Sequence, residues 1–174
     1  AQVNIGFSYY LGLGVEKDYE QAFSWWMKAA DQGNTMAQSN LGTLYHDGKG
    51  VSRDYNQALY WYKKSADQGA ASGQEGLGNL YEQGHGVAQD YSKAVYWYKK
   101  AAEQNYCGGF SNLGYCYLKG KGVLRDYGQA VELFRKALEG EEQQYSGYSL
   151  ARLGLCYEYG YGEEKNTKQA FEYY

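Results

Sequence analysis

The chain has 174 residues, a formal net charge of −3 and a pI near 5.4, so it lacks the basic excess that a broad nucleic-acid or anionic-membrane surface needs. Mean hydropathy is −0.73, and no run of about 18 apolar residues occurs, so no segment is expected to insert in a membrane. Three cysteines, an odd number, do not make a disulfide framework and lean the reading toward the cytoplasm.

The chain starts without methionine, inside what reads as a first helix, and stops at Phe171-Glu172-Tyr173-Tyr174 inside a second one. It is read as a fragment of a longer array, so the absence of a signal peptide carries no information. Ile5-Gly6, Leu41-Gly42, Leu77-Gly78 and Leu113-Gly114 follow one another at intervals of 36 residues, and Leu153-Gly154 follows at 40. A fixed period of this size signals a solenoid. The boundaries fall at approximately 1–34, 35–70, 71–106, 107–146 and 147–174, in a single array whose first and last copies are incomplete.

Residues 37–69 give the unit in full. Ala37, Leu41, Leu44 and Tyr45 share one side of a predicted first helix. Gly48-Lys49-Gly50-Val51 breaks it, with Gly48 suited to a left-handed C′ position. Asp54-x-x-Gln57 has the form of a capping box opening a second helix. The box recurs as Asp18-x-x-Gln21, Asp126-x-x-Gln129 and Asn166-x-x-Gln169, while Asp90-x-x-Lys93 keeps only the cap. Ala58, Trp61, Tyr62 and Ala66 form the buried stripe of the second helix, and Gly69 ends it. Gly42 sits mid-helix at a cost of about 1 kcal/mol relative to Ala, so its recurrence at Gly6, Gly78, Gly114 and Gly154 implies close helix packing. One helix pair cannot bury such a stripe alone, so neighbours must stack. The fold class is therefore all-α, an α-solenoid of stacked helix-turn-helix units.

The residues Ala37, Leu41, Gly42, Leu44, Tyr45, Gly48, Gly50, Val51, Asp54, Ala58, Trp61, Tyr62, Lys64, Ala66 and Gly69 together closely resemble the Sel1-like repeat, a relative of the tetratricopeptide repeat. The resemblance covers the whole chain and implies a right-handed superhelix that acts as a binding scaffold or adaptor. The fourth copy departs at Leu133-Phe134 and carries its insertion in the segment Glu139 to Gln144, and the fifth has Gly160-Tyr-Gly162-Glu163 where Gly-Val is expected.

Winding the first helices at about 100° per residue places Ser39, Thr43 and His46 opposite Leu41 and Tyr45. The equivalent sites are Val3, Phe7 and Tyr10; Glu75, Asn79 and Glu82; Ser111, Tyr115 and Leu118; and Ala151, Leu155 and Glu158. In the family, first helices line the concave surface. The resemblance therefore implies a groove for a protein or peptide partner, with aromatic or apolar ends and an acidic middle. Phe7, Tyr10, Tyr115 and Leu118 read as exposed anchors, since clustered apolar groups on a surface usually mean contact. Asn4, Asn40 and Asn112, with Arg152, resemble part of the carboxylate clamp of tetratricopeptide domains. The lysines of such a clamp are missing beside them, which argues against a chain-terminal carboxylate as ligand.

Other signals read as structural. The glycine pairs follow no strand and lead into no GK[ST], so they are turns and not phosphate loops. Cys116 and Cys156 occupy the helix position of Leu44 and Leu80 and are expected to pack as small apolar residues, whereas Cys107 begins a helix and reads as exposed. His46 and His85 stand at non-equivalent positions, so neither metal-ligand spacing nor a cofactor site is expected. Lys28, Lys64, Lys100 and Lys136 each precede an acid by three residues, the spacing of weak surface ion pairs. No nucleophile stands beside a base at plausible spacing, which sets a binding scaffold ahead of a hydrolase using Cys107 or a histidine, and ahead of a passive spacer.

Overall fold

The computed structural model describes residues 1–139 and 143–174, and the side chains of all of these except residues 143–146. The central part of the four-residue insertion lies outside them. Ten helices and no strand occur among the described residues: α1 Gln2–Leu11, α2 Tyr19–Asp31, α3 Thr35–Asp47, α4 Tyr55–Ala66, α5 Ala71–Gln83, α6 Tyr91–Ala102, α7 Cys107–Lys119, α8 Tyr127–Glu139, α9 Gln143–Tyr159 and α10 Thr167–Tyr173. The chain divides into two compact units, Ala1–Gln89 with α1 to α5 and Asp90–Tyr174 with α6 to α10.

The second helices open, and the first helices close, as the sequence dictates. Asp54 Oδ1 accepts from the Asn56 and Gln57 amides at 2.9 and 3.1 Å, and Asp18, Asp90, Asp126 and Asn166 cap α2, α6, α8 and α10 in the same way. The other half of the expected capping box is made differently. The Asp54 amide donates to the Tyr45 carbonyl at 2.9 Å, as Asp18 does to Tyr9, Asp126 to Tyr117 and Asn166 to Tyr157. The first helix of each of these repeats thus satisfies the amide that a box would leave to glutamine, and ties the turn to its own repeat. Gly48, Gly84, Gly120 and Gly160 close the first helices with φ between +71° and +74°, where an L side chain is disfavoured.

In the first unit α3 packs against α2, α4 and α5; in the second α7 packs against α6, α8 and α9. Ala22, Trp26, Ala29, Ala30, Ala37, Leu41, Leu44 and Trp61 form one core, and burying a large side chain such as Leu44 stabilises by about 1.5–3 kcal/mol. The helix glycines are close-approach sites: a Cβ at Gly42 would stand 2.7 Å from the Tyr62 ring, and one at Gly114 the same distance from the Phe134 ring. Phe134 thus fills the Tyr62 position in the fourth copy. Cys116 and Cys156 are fully buried, and Cys107 is only 3 % exposed. The expectation of an exposed Cys107 fails because its helix begins inside the packed array rather than at its surface.

Candidate partner-binding surface

The first helices present their predicted groove positions in three different states. In the first unit Val3, Phe7 and Tyr10 are half-buried around Trp26. The Phe7 ring meets Trp26 edge-on at 5.3 Å, Tyr10 lies 5.4 Å from it, and Trp26 Nε1 donates to the Val3 carbonyl at 3.2 Å. Ser39 is buried, its hydroxyl 2.7 Å from Ser65 Oγ and 2.9 Å from Ser72 Oγ. Thr43, His46, Glu75, Asn79 and Glu82 remain half-exposed. The Thr43 hydroxyl stands 3.0 Å from that of Tyr62, and Asn79 Nδ2 donates to Glu75 Oε1 at 3.2 Å.

In the second unit Ser111 is buried and accepts from Ser149 Oγ and from Arg152 Nη1, each at 3.1 Å. The Arg152 guanidinium lies 4.5 Å over the Tyr115 ring, and Lys121 Nζ lies 5.0 Å from the same ring. Leu118 is 5 % exposed, in a cluster with Val131, Phe134, Leu153 and Cys156. Leu155 and Glu158 are half-exposed; Glu158 accepts from the Tyr174 hydroxyl at 2.6 Å, which with burial pushes that phenol up to about 12.

Ser39, Ser111 and Leu118 are therefore not exposed groove residues. A two-sided helix wheel divides core from solvent, but α3 and α7 are each covered by three other helices. Positions opposite Leu41 or Leu113 consequently meet a neighbouring repeat before they meet water. Of the clamp-like residues, Asn4 is exposed and Asn40 half-buried with its Nδ2 unpartnered, while Arg152 is engaged with Ser111 and Tyr115.

A contact that the sequence reading missed links consecutive repeats. The residue between the two loop glycines lies on the tyrosine that begins the second helix of the repeat before. His85 stacks on Tyr55 at 4.1 Å and Tyr161 on Tyr127 at 4.5 Å, while Lys49 Nζ stands 5.9 Å over Tyr19 and Lys121 Nζ 5.2 Å over Tyr91. The signal was present as a recurring Asp-Tyr pair and a Gly-x-Gly whose middle residue is usually a cation or a ring.

The lysine pattern is also only partly an ion-pair pattern. Lys100 reaches Glu103 at 3.9 Å, but Lys136 pairs with Glu132 at 2.7 Å. Lys28 and Lys64 lie over the Trp25 and Trp61 rings at 4.5 and 5.0 Å, where the ring quadrupole attracts an ammonium. Among the described residues no three His, Cys, Asp or Glu side chains gather as a metal site, and no helix is long and apolar enough to cross a membrane. Burial pushes the Cys156 thiol up to about 11, far from a reactive thiolate.

The family model of the Sel1 repeat matches residues 1–34, 35–69, 71–106, 111–141 and 147–174. Among solved structures, a protective antigen of uropathogenic Escherichia coli with an SLR fold is 36% identical over 99% of this chain and 36% of its own, with a TM-score of 0.75. A Sel1 repeat protein from Oxalobacter formigenes is 35% identical, covering 99% of this chain and 70% of that one at a TM-score of 0.73. One from Klebsiella pneumoniae is 25% identical, covering 99% and 82% at 0.71. No curated protein sequence matches. The chain thus spans about a third of the length of the Escherichia coli antigen and most of the other two. With five matched copies across nearly its whole length, it belongs to the Sel1 repeat family.

Proposed function

We propose that this chain is a non-catalytic scaffold that binds a protein or peptide partner on the surface lined by its first helices. Sel1 repeats are generally protein–protein interaction modules, and the burial of Cys107 counts against it as the nucleophile of a hydrolase. The observation that carries the proposal is the set of first-helix side chains that stay half-exposed. These are Thr43, His46, Glu75, Asn79 and Glu82 in one unit, and Tyr115, Arg152, Leu155 and Glu158 in the other. Arg152, its guanidinium 4.5 Å over the Tyr115 ring, offers a cation and a ring together, the residue types that most often dominate binding energy. Phe7 and Tyr10 are half-exposed and add aromatic surface.

A second reading has its own support. Tyr60 on α4 and Tyr96 on α6 are each 53% exposed, more open than Phe7, Tyr10 and Tyr115, so the second helices also offer anchors. Partner affinity separates the two. Tyr115→Ala and Leu155→Ala should each weaken binding about tenfold, whereas Glu82→Lys should change its salt dependence, since rim charges act mainly on association. Tyr60→Ala, Lys63→Ala and Lys99→Ala should leave binding near wild type. Loss of binding in that second set alone moves the partner to the second helices.

A further inference from the structure

Two histidines that the sequence holds 39 residues apart meet at the junction of the second and third repeats. His46 Nε2 stands 3.3 Å from His85 Nδ1 and 3.3 Å from Gln83 Oε1. His46 Nδ1 donates to Asp47 Oδ1 at 3.0 Å. Asp47 Oδ2 also accepts from Lys49 Nζ at 2.9 Å. An ionised carboxylate only accepts, so the Nδ1 proton is fixed and the lone pair sits on Nε2.

Beside it stand a second imidazole nitrogen and an amide oxygen, both beyond the usual hydrogen-bond separation of about 2.9–3.0 Å. A neutral imidazole has one ring nitrogen with a free lone pair, and His85 Nδ1 is the nitrogen that faces His46. Its orientation is set by stacking on Tyr55 at 4.1 Å. Two imidazole nitrogens bound to one tetrahedral ion, each at about 2.0–2.1 Å, stand about 3.3 Å apart. The pair is therefore already spaced for a metal.

We propose that His46 and His85, with Gln83 Oε1 as a weaker third donor, bind a divalent transition ion of the Zn2+, Ni2+ or Cu2+ class between the second and third repeats. Imidazole suits these ions. Asp47 is the outer carboxylate that fixes the tautomer of His46, an arrangement common around metal-bound histidine. The remaining positions belong to water, because His46 is 25% exposed and open to solvent. The ion would join the end of α3 to the loop after α5 and so tie one repeat to the next.

The test is titration of the intact chain with Zn2+ by calorimetry, together with the electron paramagnetic resonance spectrum of Cu2+ added to it. His85→Phe keeps a ring on Tyr55 while removing the ligand, and His46→Ala removes the other. Circular dichroism melts check that both variants fold. One ion per chain, with nitrogen hyperfine structure, a Tm raised by the ion and binding weakened about tenfold or more in each variant, is expected. Asp47→Asn should weaken it less. Binding equal to wild type in both variants, or no saturable binding in the wild type at about millimolar ion, would overturn the proposal.

Discussion

A Cβ on Gly86 would stand 2.6 Å from the Tyr55 carbonyl oxygen, at a residue whose φ is already +70°. The second glycine of the loop thus meets two demands at once, a left-handed backbone and contact with the repeat before it. Gly33 meets only the first: its φ is +85°, with nothing within 4 Å. Left-handed backbone alone costs an L residue about 1–2 kcal/mol. Gly33→Ala should lose about that much in a denaturant series, and Gly86→Ala clearly more. Equal losses would mean that the Tyr55 contact yields without penalty.

The burial of Leu118 has a measurable consequence. At 5 % exposure among Val131, Phe134, Leu153 and Cys156, Leu118→Ala should destabilise by about 3 kcal/mol, as core truncations do. Phe7→Ala removes the edge contact with Trp26 and should lose about 2 kcal/mol, less because Phe7 is half-buried. Thermal melts decide this; a Leu118→Ala melt unchanged from wild type would restore it to the surface.

The caps carry a pH dependence. The Lys93 amide hydrogen bond, opposed by burial and helped by the Lys93 side chain, lowers Asp90 below its ordinary 3.8. A depressed folded pKa means that the unfolded chain binds the proton more readily, so stability is full above pH 3.8 and falls as pH drops through the folded value. Asp90→Asn keeps a good capping oxygen and should match wild type at pH 7 while losing less on acidification. Asp90→Ala should be weaker at every pH. Melts from pH 7 to about pH 3 that fall alike for wild type and Asp90→Asn would show that the carboxylate contributes nothing.

Most of the fold was legible because each rule acted locally and repeatedly. Asp54, Gly48 and the Ala58-Trp61-Tyr62-Ala66 stripe each specify a helix end or face, and every repeat says it again. The candidate surface was less legible because it depends on what stands next to each helix. Ser39 and Leu118 have the right phase for a groove, yet adjoining helices cover them. The meeting of His46 with His85 hides for the same reason: two non-equivalent positions come together only once consecutive repeats are stacked with a set offset. Helix phase was enough to find the core stripe, and it cannot report which other helices stand beside it.

Crosslinking from single positions tests most directly whether a partner lies against the first helices. A photoreactive residue would replace Thr43 or Leu155 on first helices, and Lys63 or Lys99 on second helices, with the chain then exposed to the proteins it retains. Lys63 and Lys99 are the more exposed positions, so chance contact favours them. The account predicts a discrete adduct from positions 43 and 155 and none from 63 and 99. The same adduct from positions 63 and 99, with none from 43 and 155, would contradict it.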